Sequence, residues 1–177
     1  MKLVIASDIH GSAYYCRLLK DRFLQEKAEK LLLLGDLLYH GARNPLPAEY
    51  NTLECAAILN GLKDRVLCVR GNCDSDVDGM VLEFPIEADF CLLSLGGRTA
   101  VATHGHKTPA RLTKETILIN GHFHVPAFEQ REDCLYVNCG SVSIPKENSP
   151  HSYLAAEGNQ LLWKDLETGN VFRKETL

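Results

Sequence analysis

Five short clusters, each ending an apolar run, gather most of the side chains in this chain that could hold a metal. They read Ser7-Asp8-Ile9-His10-Gly11, Leu34-Gly35-Asp36, Arg70-Gly71-Asn72-Cys73-Asp74, Thr103-His104-Gly105-His106 and Gly121-His122-Phe123-His124. Carboxylate, amide oxygen and imidazole are donors for hard and borderline divalent cations. Two carboxylates and four imidazoles converging without a cation would repel one another or take up protons, and bound metal ions remove that conflict. The chemistry these residue types point to is hydrolysis at a two-metal centre.

Taken singly, the clusters stay ambiguous. Asp8-x-His10 can grip one cation from a single turn, and reads equally as a helix-capping aspartate beside an incidental histidine. Gly35-Asp36 after four leucines reads equally as an aspartate capping a turn. Gly71-Asn72-Cys73-Asp74 offers a neutral carbonyl oxygen at a turn that glycine permits, against a simple Asx turn. Gly121-His122-x-His124 is the strongest, because alternate residues past a strand can address two adjacent ions.

Elements must bring these remote clusters together. Hydrophobic periodicity predicts strands at Leu3–Ala6, Leu31–Leu34 and Val66–Val69, separated by a helix from about Ser12 to Lys27 and a second over Leu53–Leu62. Ser12 is the candidate N-cap of the first helix. This β-α-β-α-β order implies parallel strands joined by right-handed crossovers. The second half reads as short strands: Val81–Phe84, Phe90–Leu95, Arg98–Thr103, Thr116–Ile119, Leu135–Asn138, Ser152–Glu157, Gln160–Asp165 and Val171–Lys174. Gly96-Gly97, Gly158-Asn159 and Thr168-Gly169-Asn170 supply hairpin turns. Asp8, Asp36, Asn72, His104 and His122 all fall at or just past strand ends, where ligands collect in open α/β sheets.

The bulk numbers fit an ordinary globular protein. A chain of 177 residues, with 45% hydrophobic and 24% charged residues, has the size and composition of one globular domain spanning 1–177. A formal net charge of -4 with scattered Lys and Arg leaves no footprint for non-specific nucleic-acid binding. Seven cysteines, an odd count without a Cys-x-x-Cys pair, read as reduced thiols in a cytoplasmic protein. The apolar N-terminal run is too short for a signal-peptide core, and no stretch approaches transmembrane length. Trp163 reads as core and His151 as a surface residue away from the clusters.

The ordered series Asp-x-His, Gly-Asp, Gly-Asn-x-Asp, His-Gly-His, Gly-His-x-His resembles the signature of the calcineurin-like metallophosphoesterase family over nearly the whole chain. Within that family it is most similar to the small bacterial YfcE-type phosphodiesterases, through Arg70-Gly71-Asn72-Cys73-Asp74-Ser75, Gly140-Ser141-Val142-Ser143-Ile144-Pro145-Lys146 and the loop His40-Gly41-x-Arg43-Asn44-x-Leu46-Pro47. The resemblance implies an α/β (α+β) fold: two mixed β-sheets packed as a sandwich and flanked by helices in four αββα layers. It implies two divalent metal ions, with Asp8, His10 and His124 holding one, Asn72, His104 and His122 the other, and Asp36 bridging. Manganese is the leading metal, with iron, zinc, nickel or cobalt as options, since oxygen and nitrogen donors do not choose among them. It further implies attack on a small phosphodiester by a hydroxide between the ions, with Asn72, His104 and Asp36 as the catalytic set, and a homo-oligomer (dimer or tetramer).

One departure carries a consequence. Many relatives have a histidine at the position of Cys73, credited with protonating the leaving oxygen; a thiol of pKa about 8.5 is a poor substitute. Cys73 reads either as that acid or as a small space-filling residue. Arg43, His40 and Asn44 are candidate substrate contacts. Asp74 and His106 are candidate supports of the ligands, Asp74 either by orienting His104 or another ligand or as a helix cap. The loops His40–Tyr50 and Thr108–Lys114 are the candidate specificity elements. Alternatives to a diesterase are a phosphomonoesterase or protein phosphatase, a nuclease, and a scaffold like the retromer subunit of this fold, in which the metal site is degraded.

Overall fold

The computed structural model describes all 177 residues. It contains β1 (Lys2–Ala6), α1 (Ala13–Gln25), β2 (Lys30–Leu33), α2 (Thr52–Asn60), β3 (Val66–Cys68), β4 (Phe90–Leu95), β5 (Arg98–Thr103), β6 (Ile117–Asn120), β7 (Ala127–Gln130), β8 (Leu135–Asn138), β9 (Ser152–Glu157), β10 (Gln160–Asp165) and β11 (Val171–Thr176). One sheet runs β11-β10-β9-β1-β2-β3 and the other β4-β5-β6-β8-β7. Both are mixed. β1, β2 and β3 are parallel while β9 lies antiparallel to β1. In the second sheet β5, β6 and β8 are parallel, with β4 and β7 antiparallel at the edges.

The apolar run of β1 is continuous because both of its faces are buried. Val4 and Ala6 pack with Leu31, Leu33, Leu19, Phe23 and Leu59 in a core between this sheet and the two helices. Leu3 and Ile5 face the other way, with Leu32, Ile117, Ile119, Val137 and Trp163, into a core between the sheets. Ser12 caps α1 as expected, its side chain accepting from the Tyr15 N–H. Both helices cover the first sheet. The outermost layer over the second sheet is irregular chain around Leu112, packed on Leu118, Cys134 and Tyr136.

Two local expectations are corrected. Val81–Phe84 is not a strand, although Leu82, Phe84 and Ile86 are alternately buried in the helix-side core. The side chain of Asn60 satisfies that segment's backbone instead, donating to the Val81 carbonyl and accepting from the Glu83 N–H. β7 escaped the pattern because an edge strand reading Ala-Phe-Glu-Gln is half polar and needs only β8 beside it.

Candidate metal centre

The loops that follow β1, β2, β3, β5 and β6 meet at one end of the sandwich. Their backbones are tied directly: the His10 N–H donates to the Asp36 carbonyl at 2.9 Å, and the Gly121 N–H to the His104 carbonyl at 2.9 Å. His10, Asp36, His124 and Asp74 are nearly inaccessible, and Asp8 and His104 are completely so. Asp8, His10, Asp36, His122 and His124 all have φ between 50° and 64°, the left-handed region. Close glycine contacts make room for this. A Cβ on Gly71 would lie 2.1 Å from Asp36 Oδ1, and one on Gly121 1.9 Å from Ser7 Oγ.

Ligand atoms converge in two sets that share the carboxylates. Asp8 Oδ1 lies 3.5 Å from His10 Nε2 and 3.2 Å from His124 Nε2. Asp36 Oδ2 lies between, 3.8 Å from His10 Nε2 and 3.4 Å from His104 Nε2. On the far side, His104 Nε2 is 2.9 Å from Asn72 Oδ1 and 3.1 Å from His122 Nδ1. Donor atoms of Asp8, His10 and His124, and of Asp8, Asp36 and His104, lie within 4.8 Å of one another.

The second nitrogen of three of these histidines is already committed. Nδ1 of His10 meets the Tyr39 carbonyl at 2.8 Å, that of His104 the Leu34 carbonyl at 2.7 Å, and that of His124 the Ile144 carbonyl. A carbonyl only accepts, so each Nδ1 carries hydrogen and Nε2 is left to offer a lone pair inward. Asp8 Oδ1 and His10 Nε2 are buried with no hydrogen-bond partner. Orphaned acceptors of that kind are costly in a protein interior. The donor set therefore fits a divalent cation.

Charge balance without metal gives the same picture. Burial alone would raise Asp8, yet the adjacent imidazoles of His10 and His124 and the charge of His104 hold it far below the ordinary carboxylate range. Burial also opposes ionisation of Asp36, but His104 wins and its pKa falls. Burial would lower His104, and Asp36 and Asp8 instead push it up to about 9. The metal-free site thus holds protons that cations would displace.

Other expected residues distribute unevenly. Arg43, Asn44 and Cys73 line the open cavity of about 420 Å³ beside His10, Asp36 and Asn72. His40 does not; its ring stands edge-on between Tyr39 and Tyr50. Asp74 supports Asp36, another of the candidate ligands, rather than His104, and it does not cap a helix. Its carboxylate accepts the N–H groups of Asp36, Leu37 and Gly71 at 2.9, 2.8 and 2.7 Å, and so fixes the Asp36 loop. His106 is exposed, its ring centred 5.4 Å from that of His104. Burial and the neighbouring Asp36 raise the Cys73 thiol to about 12. The Thr108–Lys114 segment stays away from this cavity and instead borders a separate groove on the outside of β4 and β5. His151 is not a free surface residue: it stacks on Tyr15 with centroids 3.9 Å apart and bonds the Val142 carbonyl.

Several contributors have no signal in the sequence beyond their place in a motif. Ser141 and Ser143 both donate to the Asp8 carbonyl, at 3.1 and 3.0 Å, and Asn138 donates to the Gly121 carbonyl at 2.7 Å. Lys146 lines the cavity with Arg43 and Asn44. These contacts join positions more than a hundred residues apart, or use residue types common on any surface.

Sandwich, strand-end loops and converging donors define a phosphoesterase centre. The calcineurin-like phosphoesterase superfamily domain matches residues 1–160, and the chain belongs to that family. Among its relatives, Phosphodiesterase YfcE of Escherichia coli strain K12 is 45% identical over 158 residues, covering 86% of this chain and 85% of that protein. The solved structure of YfcE, described as a phosphoesterase, superimposes with a TM-score of 0.93 at 40% identity, covering 99% of both chains. Vps29 from Entamoeba histolytica complexed with zinc superimposes with a TM-score of 0.62 at 20% identity, covering 100% of this chain and 98% of that one, a likeness of fold alone.

Proposed function

We propose that this protein is a metal-dependent hydrolase of small phosphodiesters. Asp8, His10 and His124 hold one ion, Asn72, His104 and His122 a second, and Asp36 bridges them; manganese is the proposed metal. The observation that carries the reading is the position of Asp36 Oδ2 between His10 and His104, flanked by both halves of the donor set. The similarity to a protein named a phosphodiesterase supports the choice of substrate class. A degraded scaffold would lack some of these donors, and here all seven positions carry competent ones.

Bound divalent ions supply Lewis acidity and lower the pKa of coordinated water, so that neutral pH provides the nucleophile. The chain does the rest. Asp8, His10, His104 and His124 are locked by buried hydrogen bonds, so the donors need little reorganisation when substrate arrives. Arg43 and Lys146 line the cavity and attract the phosphodiester anion. Cys73 keeps its proton and offers little to the leaving oxygen, which makes departure depend on the leaving group itself. Reduced cysteines fit a cytoplasmic setting, and the protein acts as one domain, assembled as a homo-oligomer.

The test pairs metal analysis of chelator-free protein with hydrolysis of bis- and mono-p-nitrophenyl phosphate. We expect two ions per chain, faster turnover of the diester, and loss of both metal and activity in Asn72→Ala. Equal metal content and equal activity in that variant would remove Asn72 from the centre; a preference for the monoester would overturn the diesterase assignment.

A further inference from the structure

A second cavity of about 380 Å³ adjoins the metal-centre cavity, and Cys73 lines both. Its walls are mostly apolar: Tyr39, Tyr50, Leu53, Val77 and Val81. Tyr39, Leu53, Val77 and Val81 are exposed by 42%, 69%, 66% and 37%, a concentration of apolar surface that calls for an occupant. Its volume lies in the range of small-molecule sites.

These walls are built into the centre. The Tyr39 carbonyl takes the Nδ1 hydrogen of His10. The Tyr50 ring packs where a Cβ on Gly11 would stand, 2.5 Å from Cε2, and the Asn51 N–H donates to the Gly11 carbonyl. On the opposite side, the Cys73 N–H donates to Asp36 Oδ1 at 2.8 Å. An occupant would therefore lie one residue from Asp36 and His10 at once. Charge divides the two cavities. Arg43 and Lys146 line the first, whereas Asp78 is the one carboxylate of the second, which carries no basic side chain.

We propose that the second cavity is the subsite for one ester arm of the substrate, and that this arm is uncharged and apolar or aromatic. The inference rests on the phosphodiester reading of the metal centre and narrows its substrate class. A diester anion is placed beside Arg43 and Lys146 while its arm extends past Cys73 between Tyr39, Tyr50 and Leu53. An arm with a further phosphate would meet Asp78 and an apolar wall, and is disfavoured.

Calorimetric titration of the Mn²⁺-loaded protein with benzylphosphonate and methylphosphonate tests this without turnover, a methylene replacing the ester oxygen in the first. We expect benzylphosphonate to bind about tenfold more tightly, from partial burial of the ring. In Leu53→Asp and in Val77→Asp, both at exposed sites, that advantage should shrink to roughly twofold or less while methylphosphonate affinity holds. Leu53 lies in the first turn of α2, where a carboxylate favours the helix. Equal affinities in the unmodified protein would overturn the proposal, as would an advantage that survives in both variants. Equal affinities together with dissociation of an oligomer by Val77→Asp would assign the face to a second copy. If neither phosphonate binds, the anion site fails first and the arm subsite falls with it.

Discussion

Five of the seven proposed ligands adopt left-handed backbone, and none is glycine. Asp, Asn and His tolerate that region better than most residues, but it still costs of order 1 kcal/mol at each position. Strain of this kind persists where the surroundings over-determine it. Here Asp74 on the Asp36 loop, and Ser141 and Ser143 on the Asp8 carbonyl, do so. The candidate donors that the structure brings together were legible in the sequence because donor types stand out after apolar runs. Their conformations were not, since only glycine announces positive φ by its type. Cys73 gives the prediction at this scale. With its thiol raised to about 12, it does not protonate the leaving oxygen at neutral pH. We therefore expect kcat for a series of aryl diesters to fall steeply as the pKa of the leaving phenol rises. A flat series would show that some group does supply the proton.

Elements set the centre's shape through close approach. Gly35 and Gly71 let the chains leaving β2 and β3 touch: a Cβ on Gly35 would fall 2.3 Å from the Gly71 nitrogen. Gly71→Ala would place a methyl group 2.1 Å from Asp36 Oδ1 and 2.3 Å from the Asp36 backbone nitrogen, so the Asp36 loop and its carboxylate must move. We expect that variant to fold and to lose about 10–100-fold in metal affinity, read by competition with a chromogenic chelator. Unchanged affinity would mean that Asp36 is not held by this contact. The parallel strands were legible from their doubly buried apolar runs. β7 and the Val81–Phe84 segment were not, because pairing depends on a neighbouring strand and the alternation of Leu82, Phe84 and Ile86 reports burial alone. That Asp74 supports a ligand was legible, but which one was not: its bonds to the N–H groups of Asp36, Leu37 and Gly71 depend on two loops meeting in space.

Across the whole molecule, a half-buried carboxylate away from the centre ties α1 to three strands of the first sheet. Glu26, at the end of α1, meets Lys2 of β1 at 2.8 Å, the Tyr153 hydroxyl of β9 at 2.9 Å, and Lys164 of β10. Burial would raise its pKa, but Lys164, Lys2 and Tyr153 outweigh that and bring it to about 2 from 4.5. A folded-state pKa below the unfolded one stabilises the fold above about pH 4.5, and the benefit disappears as pH falls through 2. Glu26→Gln should therefore cost about 2 kcal/mol at neutral pH, after allowance for screening. Thermal melts of the two proteins should draw together as pH is lowered from 5 toward 2. A constant gap across that window would assign the effect to packing. The joining of helix, adjoining strands of the first sheet and strand-end loops in one body is what turns scattered donors into a centre. An anomalous-difference map from crystals soaked in Mn²⁺ addresses that centre most directly. We expect two peaks sharing Asp36 Oδ2, one contacted by Asp8, His10 and His124 and the other by Asn72, His104 and His122. A single peak, or peaks that leave Asp36 untouched, would contradict a dinuclear hydrolase.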